Sequence, residues 1–201
     1  MDIDIYILHT SLIKEHFCFV SSFVDEARKE KAERYANEKD KLLSYGAGYL
    51  LKKYLPKKEM KETINKKPYF EGGPYFNISH SGEYVVLAIH KRNDVGVDIE
   101  RINEDKIEAI KFALCDEEKE IDDTSELFRM WTNKESLIKC MSSNLNDIRK
   151  LRGLPLEGYR NINGNDYYTK SMIYEGYSLS VTLNTKQDFN IKLNRVNFLE
   201  G

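Results

Sequence analysis

Two acidic residues stand two apart in the run Gly96-Val97-Asp98-Ile99-Glu100. On a β-strand such a pair points to one face. Carboxylates side by side repel, which raises the pKa of one of them unless a cation lies between. Oxygen donors from one or two carboxylates, with room left for water and phosphate, describe a Mg²⁺ site. An acidic strand end bathed in water fits the same spacing. A second pair, Glu135 and Lys139, is four apart in Trp131–Lys139. On a helix the two share a face. They read either as a surface ion pair or as a third carboxylate for the cluster with a lysine for a nearby phosphate. Lys134, adjacent to Glu135, points elsewhere. His80 lies between Ser79, Ser81 and Gly82, where the backbone can approach an anion closely. Arg28, Lys31 and Arg34 repeat at helical spacing and, taken alone, read as a solvated face with internal ion pairs.

These residues need elements to hold them. Residues 77–100 predict strand, turn, strand, turn, strand. Tyr84–Ile89 is continuously apolar, as in a strand buried on both faces, and Val95–Ile99 carries the acidic pair to its end. Upstream, Ile3, Ile5 and Ile7 alternate with polar partners and predict a half-buried strand. Residues 11–24 predict an amphipathic helix with Phe17, Val20 and Val24 in the core. A charged helix follows over 27–36, then one over 40–55 that Pro56 ends. Gly46 and Gly48 inside that helix imply close packing, since each costs about 1 kcal/mol relative to alanine. Lys57–Lys67 reads as a polar connector, and Lys67-Pro68 as extended chain. Downstream, 105–114 predicts a helix, and Asp116 an N-cap for 117–121. Residues 126–141 predict the strongest helix of the second half. Residues 142–165 read as loop, and 167–173, 177–183 and 190–197 as strands with a turn at Glu175-Gly176. The order suggests two similar α+β halves with a seam near 98–103 and a cleft between them.

Composition narrows the classes. The chain has 201 residues, 41% hydrophobic, with a formal net charge of −2. That balance speaks against a general nucleic-acid binder. Three scattered cysteines without a CxxC fit a reducing cytoplasm better than a disulfide framework or a zinc site. The start is acidic and alternating, unlike a signal peptide, and no apolar run approaches a membrane span.

Three motifs in order carry a resemblance: Phe76-Asn77-Ile78-Ser79-His80-Ser81-Gly82, Gly96–Glu100 and Trp131–Lys139. Together they resemble the 4′-phosphopantetheinyl transferases of the Sfp type. Lys67-Pro68 matches that family's basic-proline motif, Arg28–Tyr35 its basic helix, and Ser44 a common Ser/Thr position. The likeness covers most of residues 1–140. It implies an α+β monomer of two pseudo-twofold halves, 1–100 and 101–201, with coenzyme A between them. It also implies transfer of the phosphopantetheine arm of coenzyme A to a serine of an acyl or peptidyl carrier protein, with release of 3′,5′-ADP. In that reading Asp98, Glu100 and Glu135 hold Mg²⁺, or Mn²⁺, and Glu135 is the base. Lys139 stabilises the transferred phosphate. His80 contacts a coenzyme A phosphate with Ser79 beside it. Arg28, Lys31 and Ser44 hold the 3′-phosphate end, and Lys67-Pro68 lies near the adenine. The sequence departs from the family in lacking glycine over Cys140–Leu145, in Leu43 where some relatives are basic, and in being short for the type. A non-catalytic coenzyme A or carrier-protein binding module and an unrelated Mg²⁺-dependent phosphohydrolase are the alternatives.

Overall fold

A computed structural model describes residues 1–153 and 155–198, and of Leu145 and Asn146 only the backbone. Leu154 and residues 199–201, all in the half expected over 101–201, lie outside the described residues, as does the side chain of Leu145 in the glycine-free stretch.

The chain begins with β1 (Asp2–His9), whose Ile3, Ile5 and Ile7 are buried as the alternation requires. Three short helices follow: α1 (Thr10–Glu15), α2 (Phe17–Phe23) and α3 (Glu26–Glu33). The single helix expected over 11–24 is thus two, broken at His16, which leaves helical geometry with ψ at 33°. Helix α4 (Glu38–Tyr54) is capped by the Asn37 side chain, which accepts from the Lys39 N–H at 2.8 Å. Acidic residues in its first turn and lysines in its last suit the helix dipole. A two-residue ribbon, β2 (Lys61–Glu62) with β3 (Pro68–Tyr69), leads to β4 (Tyr75–Ser81), β5 (Tyr84–His90) and β6 (Val95–Arg101). After α5 (Ile107–Ala113) a short 3-10 turn spans Asp116–Glu120. The residue at its cap is Cys115, whose N–H donates to Glu118, so Asp116 is inside the turn rather than its N-cap. Helix α6 (Thr124–Met141) is capped by Asp123, which accepts from Glu126 N–H at 2.8 Å. The last strands are β7 (Gly158–Ile162), β8 (Asn165–Tyr174), β9 (Tyr177–Leu183) and β10 (Asn190–Arg195). The stretch 142–165, expected as loop, therefore contains a 3-10 turn at Leu145–Lys150 and strand β7. Strand β7 pairs only with β8 at a sheet edge and lacks the alternation that would announce it.

The fold is α+β. One four-stranded sheet has the order β10-β1-β5-β4, the other β6-β9-β8-β7. The last strand crosses back to the first sheet and pairs in parallel with β1. One face of the first sheet packs on α1, α2 and α4 through Leu8, Val85 and Leu87. Its other face packs on the second sheet through Ile3, Ile5, Val86, Val97, Ile99 and Val181. Strand β5 is buried on both faces, as its composition requires. In α4, a Cβ at Gly46 would fall 2.6 Å from Ile13 and one at Gly48 2.5 Å from the stem of Arg28. Both glycines mark close approaches.

Helix α6 lies unusually near the second sheet. A Cβ on Gly96 of β6 would sit 1.9 Å from the Ser136 carbonyl oxygen. Hydroxyls line the contact instead of branched apolar groups. Thr132 bonds Ser178 and Ser180 at 2.9 and 2.7 Å, and Ser136 bonds Thr182 at 2.8 Å. All five residues are fully buried. Each hydroxyl meets another, so the polar layer is satisfied rather than costly. The helix that carries Glu135 and Lys139 is thereby fixed against the strand that carries Asp98 and Glu100.

Candidate active site

Strand β6 sends Val95, Val97 and Ile99 into the core between the sheets. The alternate residues Gly96, Asp98 and Glu100 therefore face α6. Helix α6 presents Glu135 and Lys139 from adjacent turns of one face. The result is a cluster at the seam of the sheets. The Lys139 ammonium donates to Asp98 Oδ1 at 2.6 Å and stands 3.6 Å from Glu135 Oε2. Ser79 of β4 donates its hydroxyl to the same Asp98 oxygen at 2.8 Å. Glu100 accepts from the Ser81 hydroxyl and from Lys106, each at 2.7 Å. Glu135 and Lys139 are thus no surface pair: their side chains are 14% and 25% exposed.

Lys106 serves Glu100, which leaves Lys139 to face Asp98 and Glu135 together, and the protonation equilibria follow. Burial, and next the negative charge of Asp98, push Glu135 up to about 7, while Lys139 pulls it down. Burial likewise raises Asp98, against the opposing pull of Lys139. Burial would lower Lys139, but Asp98 and Glu135 together outweigh it and hold the ammonium charged. A carboxyl near neutrality is suited to accept a proton at physiological pH.

His80 occupies the opposite face of β4 from Ser79 and Ser81. By area it is exposed, yet the protein around it lowers its pKa, with Lys139 adding to the effect. It borders a cavity of about 70 Å³ shared with Arg28, Lys31, Tyr35, Asp40 and Ser44. The Ser44 hydroxyl is buried without a hydrogen-bond partner. Two cations, a histidine and an unpaired hydroxyl around one small space are the donor set of an anion site. Arg28 also borders a larger cavity of about 490 Å³, walled by Leu51, Lys52, Lys57, Lys58 and Phe70. The structure therefore brings Arg28, Lys31, Ser44 and His80 together at one place, and Asp98, Glu100, Glu135, Lys139 and Ser79 at another.

Lys67 and Pro68 lie elsewhere. The Lys67 side chain is 9% exposed. It donates to the carbonyls of Val95 at 3.1 Å and Cys140 at 3.3 Å, with Asp94 3.6 Å away. Its ammonium ties the start of β6 to the end of α6. Pro68 is half-buried in the β2–β3 ribbon.

Sequence reasoning missed Lys134, which is fully buried in an ion pair with Glu118. It missed Arg160, which donates to Asn133 at 2.8 Å beneath the same helix. It also left Asn77, Ser81 and Lys106 without a role. The first two carried a signal, since Asn77, Ser79 and Ser81 repeat every second residue on a strand.

Among the described residues, no three acidic, histidine or cysteine side chains form a ready metal-holding group. Lys139 supplies the positive charge between Asp98 and Glu135 instead. The chemistry of the donors nevertheless fits a hard cation: they are all carboxylate oxygens. Asp98 Oδ2 is buried without a partner, an acceptor left for something to fill.

Comparison with known proteins points the same way. Residues 94–182 match the 4′-phosphopantetheinyl transferase superfamily. That segment contains Asp98, Glu100, Glu135 and Lys139 but not His80 or the basic cavity. The 4′-phosphopantetheinyl transferase gsp of Aneurinibacillus migulanus is 33% identical over 144 residues, 64% of this chain and 60% of the relative. The chain thus spans about 60% of the length of the curated relative it matches. The acidic cluster of β6 and α6 lies inside the segment that is similar to the 4′-phosphopantetheinyl transferase superfamily.

Proposed function

We propose that this protein transfers the 4′-phosphopantetheine arm of coenzyme A to a serine hydroxyl of an acyl or peptidyl carrier protein. The observation that carries the reading is the two-sidedness of β4. One face gives His80 to a small cationic cavity, and the other gives Ser79 to a carboxylate cluster. A substrate with a phosphorylated nucleotide at one end and a pyrophosphate in the middle needs both. The names of the family and of the relative support the same reading.

In this mechanism Arg28, Lys31, Ser44 and His80 hold the 3′-phosphate end, with the larger cavity beyond Arg28 open to the rest of the nucleotide. Lys67-Pro68 lies near the adenine. Glu135, ionised above about 7, takes the proton from the carrier serine. The serine oxygen bonds to the phosphorus that bears the pantetheine arm. The bond from that phosphorus to the bridging oxygen breaks, and 3′,5′-ADP leaves. Lys139 stabilises the phosphoryl oxygens as charge shifts onto the leaving group. Asp98, Glu100 and Glu135 would hold Mg²⁺ or Mn²⁺, which would supply further positive charge at the pyrophosphate.

The halves 1–100 and 101–201 would form the two walls of the cleft, with the protein acting as a monomer in the cytoplasm. Among the described residues, no helix is long and apolar enough to cross a membrane. Fatty-acid, polyketide and non-ribosomal-peptide carriers all offer the required serine.

Intact-protein mass spectrometry tests the proposal. Apo acyl and apo peptidyl carriers are incubated with the protein, coenzyme A and Mg²⁺. A gain of one phosphopantetheine that EDTA abolishes is the expected result. Coenzyme A binding without any mass gain would replace the transferase by a binding module. Hydrolysis of coenzyme A without a protein acceptor would replace it by a phosphohydrolase.

A further inference from the structure

We propose that Asn77, Ser79 and Ser81 are positioning residues: their side chains stitch the free edge of β6 to β4 and, through the two serines, aim Asp98 and Glu100. Strands β4 and β6 are the facing edges of two different sheets. An edge strand carries a row of N–H groups with no neighbour, and here that edge is buried, with Val97 and Ile99 fully enclosed. Buried N–H groups left unpaired are costly, so the row must end somewhere.

It ends on side chains. Val97 N–H donates to Asn77 Oδ1 at 3.0 Å, and Arg101 N–H to Ser81 Oγ at 3.1 Å. Ile99 N–H reaches Ser79 Oγ at 3.5 Å, the long member of the row. One step earlier, the Val95 carbonyl accepts from Lys67. Every second residue of β6 from 95 to 101 is therefore met by a side chain from the first ninety residues. The match is one of period. Both strands repeat every two residues, so three short polar side chains at 77, 79 and 81 meet three N–H groups at 97, 99 and 101.

The serines do a second thing. A hydroxyl has one proton to give and two lone pairs to accept with. Ser81 accepts from Arg101 and gives its proton to Glu100 at 2.7 Å. Ser79 accepts from Ile99 and from Lys139 at 3.2 Å, and gives its proton to Asp98. All of Ser79's hydrogen-bonding capacity is used. Its one proton is committed to Asp98, which gives it a role apart from any phosphate contact. Each carboxylate is thus tied to the seam one residue from the backbone bond that holds its strand.

The inference bears on the transferase reading through the Mg²⁺ ligands, but its main readout is independent of activity. Amide hydrogen exchange is followed by NMR in the ¹⁵N-labelled protein, in Ser81→Ala and in Ser81→Thr. The parent should protect the amides of Val97 and Arg101. Ser81→Ala should speed exchange at Arg101 by about tenfold, the worth of one lost hydrogen bond, and leave Val97 slow. Calorimetry with Mg²⁺ and coenzyme A should show weaker Mg²⁺ binding in Ser81→Ala, with coenzyme A affinity held near the parent's. Ser81→Thr, which keeps the hydroxyl, should restore both. Parent-like exchange and Mg²⁺ binding in Ser81→Ala, or equal impairment in Ser81→Thr, would overturn the inference. If Ser81→Ala does not fold, fast exchange at Arg101 in the parent overturns it and slow exchange upholds it. A parent that loads no carrier would remove the transferase, while the exchange data would still decide the ladder.

Discussion

Replacing Glu135 with glutamine should make the protein more stable above neutral pH while removing the proposed base. Glu135 rises from 4.5 to about 7, mainly through burial and then through Asp98. At 1.36 kcal/mol per pKa unit, that gap is worth about 3 kcal/mol. The side chain keeps 14% of its exposure, which trims the figure to about 2–3 kcal/mol. The sign follows from linkage. The native state binds this proton more tightly than the unfolded chain. The stabilisation from that proton is complete below pH 4.5 and is lost as pH rises through about 7. Above that, the native state bears the whole cost of a buried, crowded charge. Glutamine does not titrate. The stability curves of parent and Glu135→Gln should therefore meet near pH 4.5 and part by about 2–3 kcal/mol at pH 8, or about 4–12 °C in Tm for a chain of this size. Urea melts followed by circular dichroism across pH 5–8.5 measure the gap. EDTA must be present, because a divalent ion on the carboxylates would drive the proton off. A gap that does not change with pH, or a glutamine variant less stable than the parent at pH 8, would refute the reasoning.

Gly96→Ala places a methyl group 1.9 Å from a helix carbonyl and 2.5 Å from the Cys140 nitrogen, both backbone atoms. Helix α6 must move, at a cost of about 3 kcal/mol. Because Glu135 and Lys139 ride on that helix, carrier loading at a temperature well below the melt should fall about a hundredfold. Lys134→Met strands Glu118 in the core and should cost about 3–5 kcal/mol by urea melt, whereas Lys134→Met with Glu118→Leu should come back near the parent. Arg28→Ala should raise the KM for coenzyme A at least tenfold with kcat within about twofold, the pattern of a lost charge-assisted bond to the bound nucleotide. A fall in kcat alone would move Arg28 out of the binding site.

Much of this site can be read from residue spacing. Asp98 and Glu100 two apart on a strand, and Glu135 and Lys139 four apart on a helix, each fix a shared face before any fold is known. What spacing cannot give is the environment that the shared face meets. Lys134 shows the limit. Helical geometry turns it away from Glu135, but whether it turns to water or to the core depends on Glu118. Glu118 belongs to a five-residue 3-10 turn that tucks beneath α6. No local pattern announces that contact. The same holds for β10, whose alternation predicts a strand but not its parallel partner β1, 188 residues away in the Asp2–Asn190 pair. Strand β7 was hidden for a different reason: Gly158, Arg160 and Asn161 give it loop-like composition, and its Arg160 is buried where Asn133 of α6 and the Pro155 carbonyl accept from it.

The run Asn77–Ser81 shows how a single strand can join two chemistries. A period of two sends His80 to a cavity of cations and sends Ser79 and Ser81 to a cluster of anions. Neither group could stand beside its counterpart without losing its character. Moved into the acidic cluster, His80 would gain charge from the carboxylates. An additional lysine there would neutralise the crowding that holds Glu135 near neutrality. The strand backbone keeps the two fields apart while holding them about one strand thickness from each other. On the acidic side Lys106 meets Glu100, while Lys139 is shared between Asp98 and Glu135. Any cation that enters between Asp98 and Glu135 must therefore redistribute Lys139's contacts, and in the proposed mechanism the ammonium thus freed would meet a phosphoryl oxygen. On this argument, Lys139→Met should bind Mg²⁺ at least as well as the parent while losing transfer. Weaker Mg²⁺ binding in that variant would show that the lysine builds the cluster rather than competing for it.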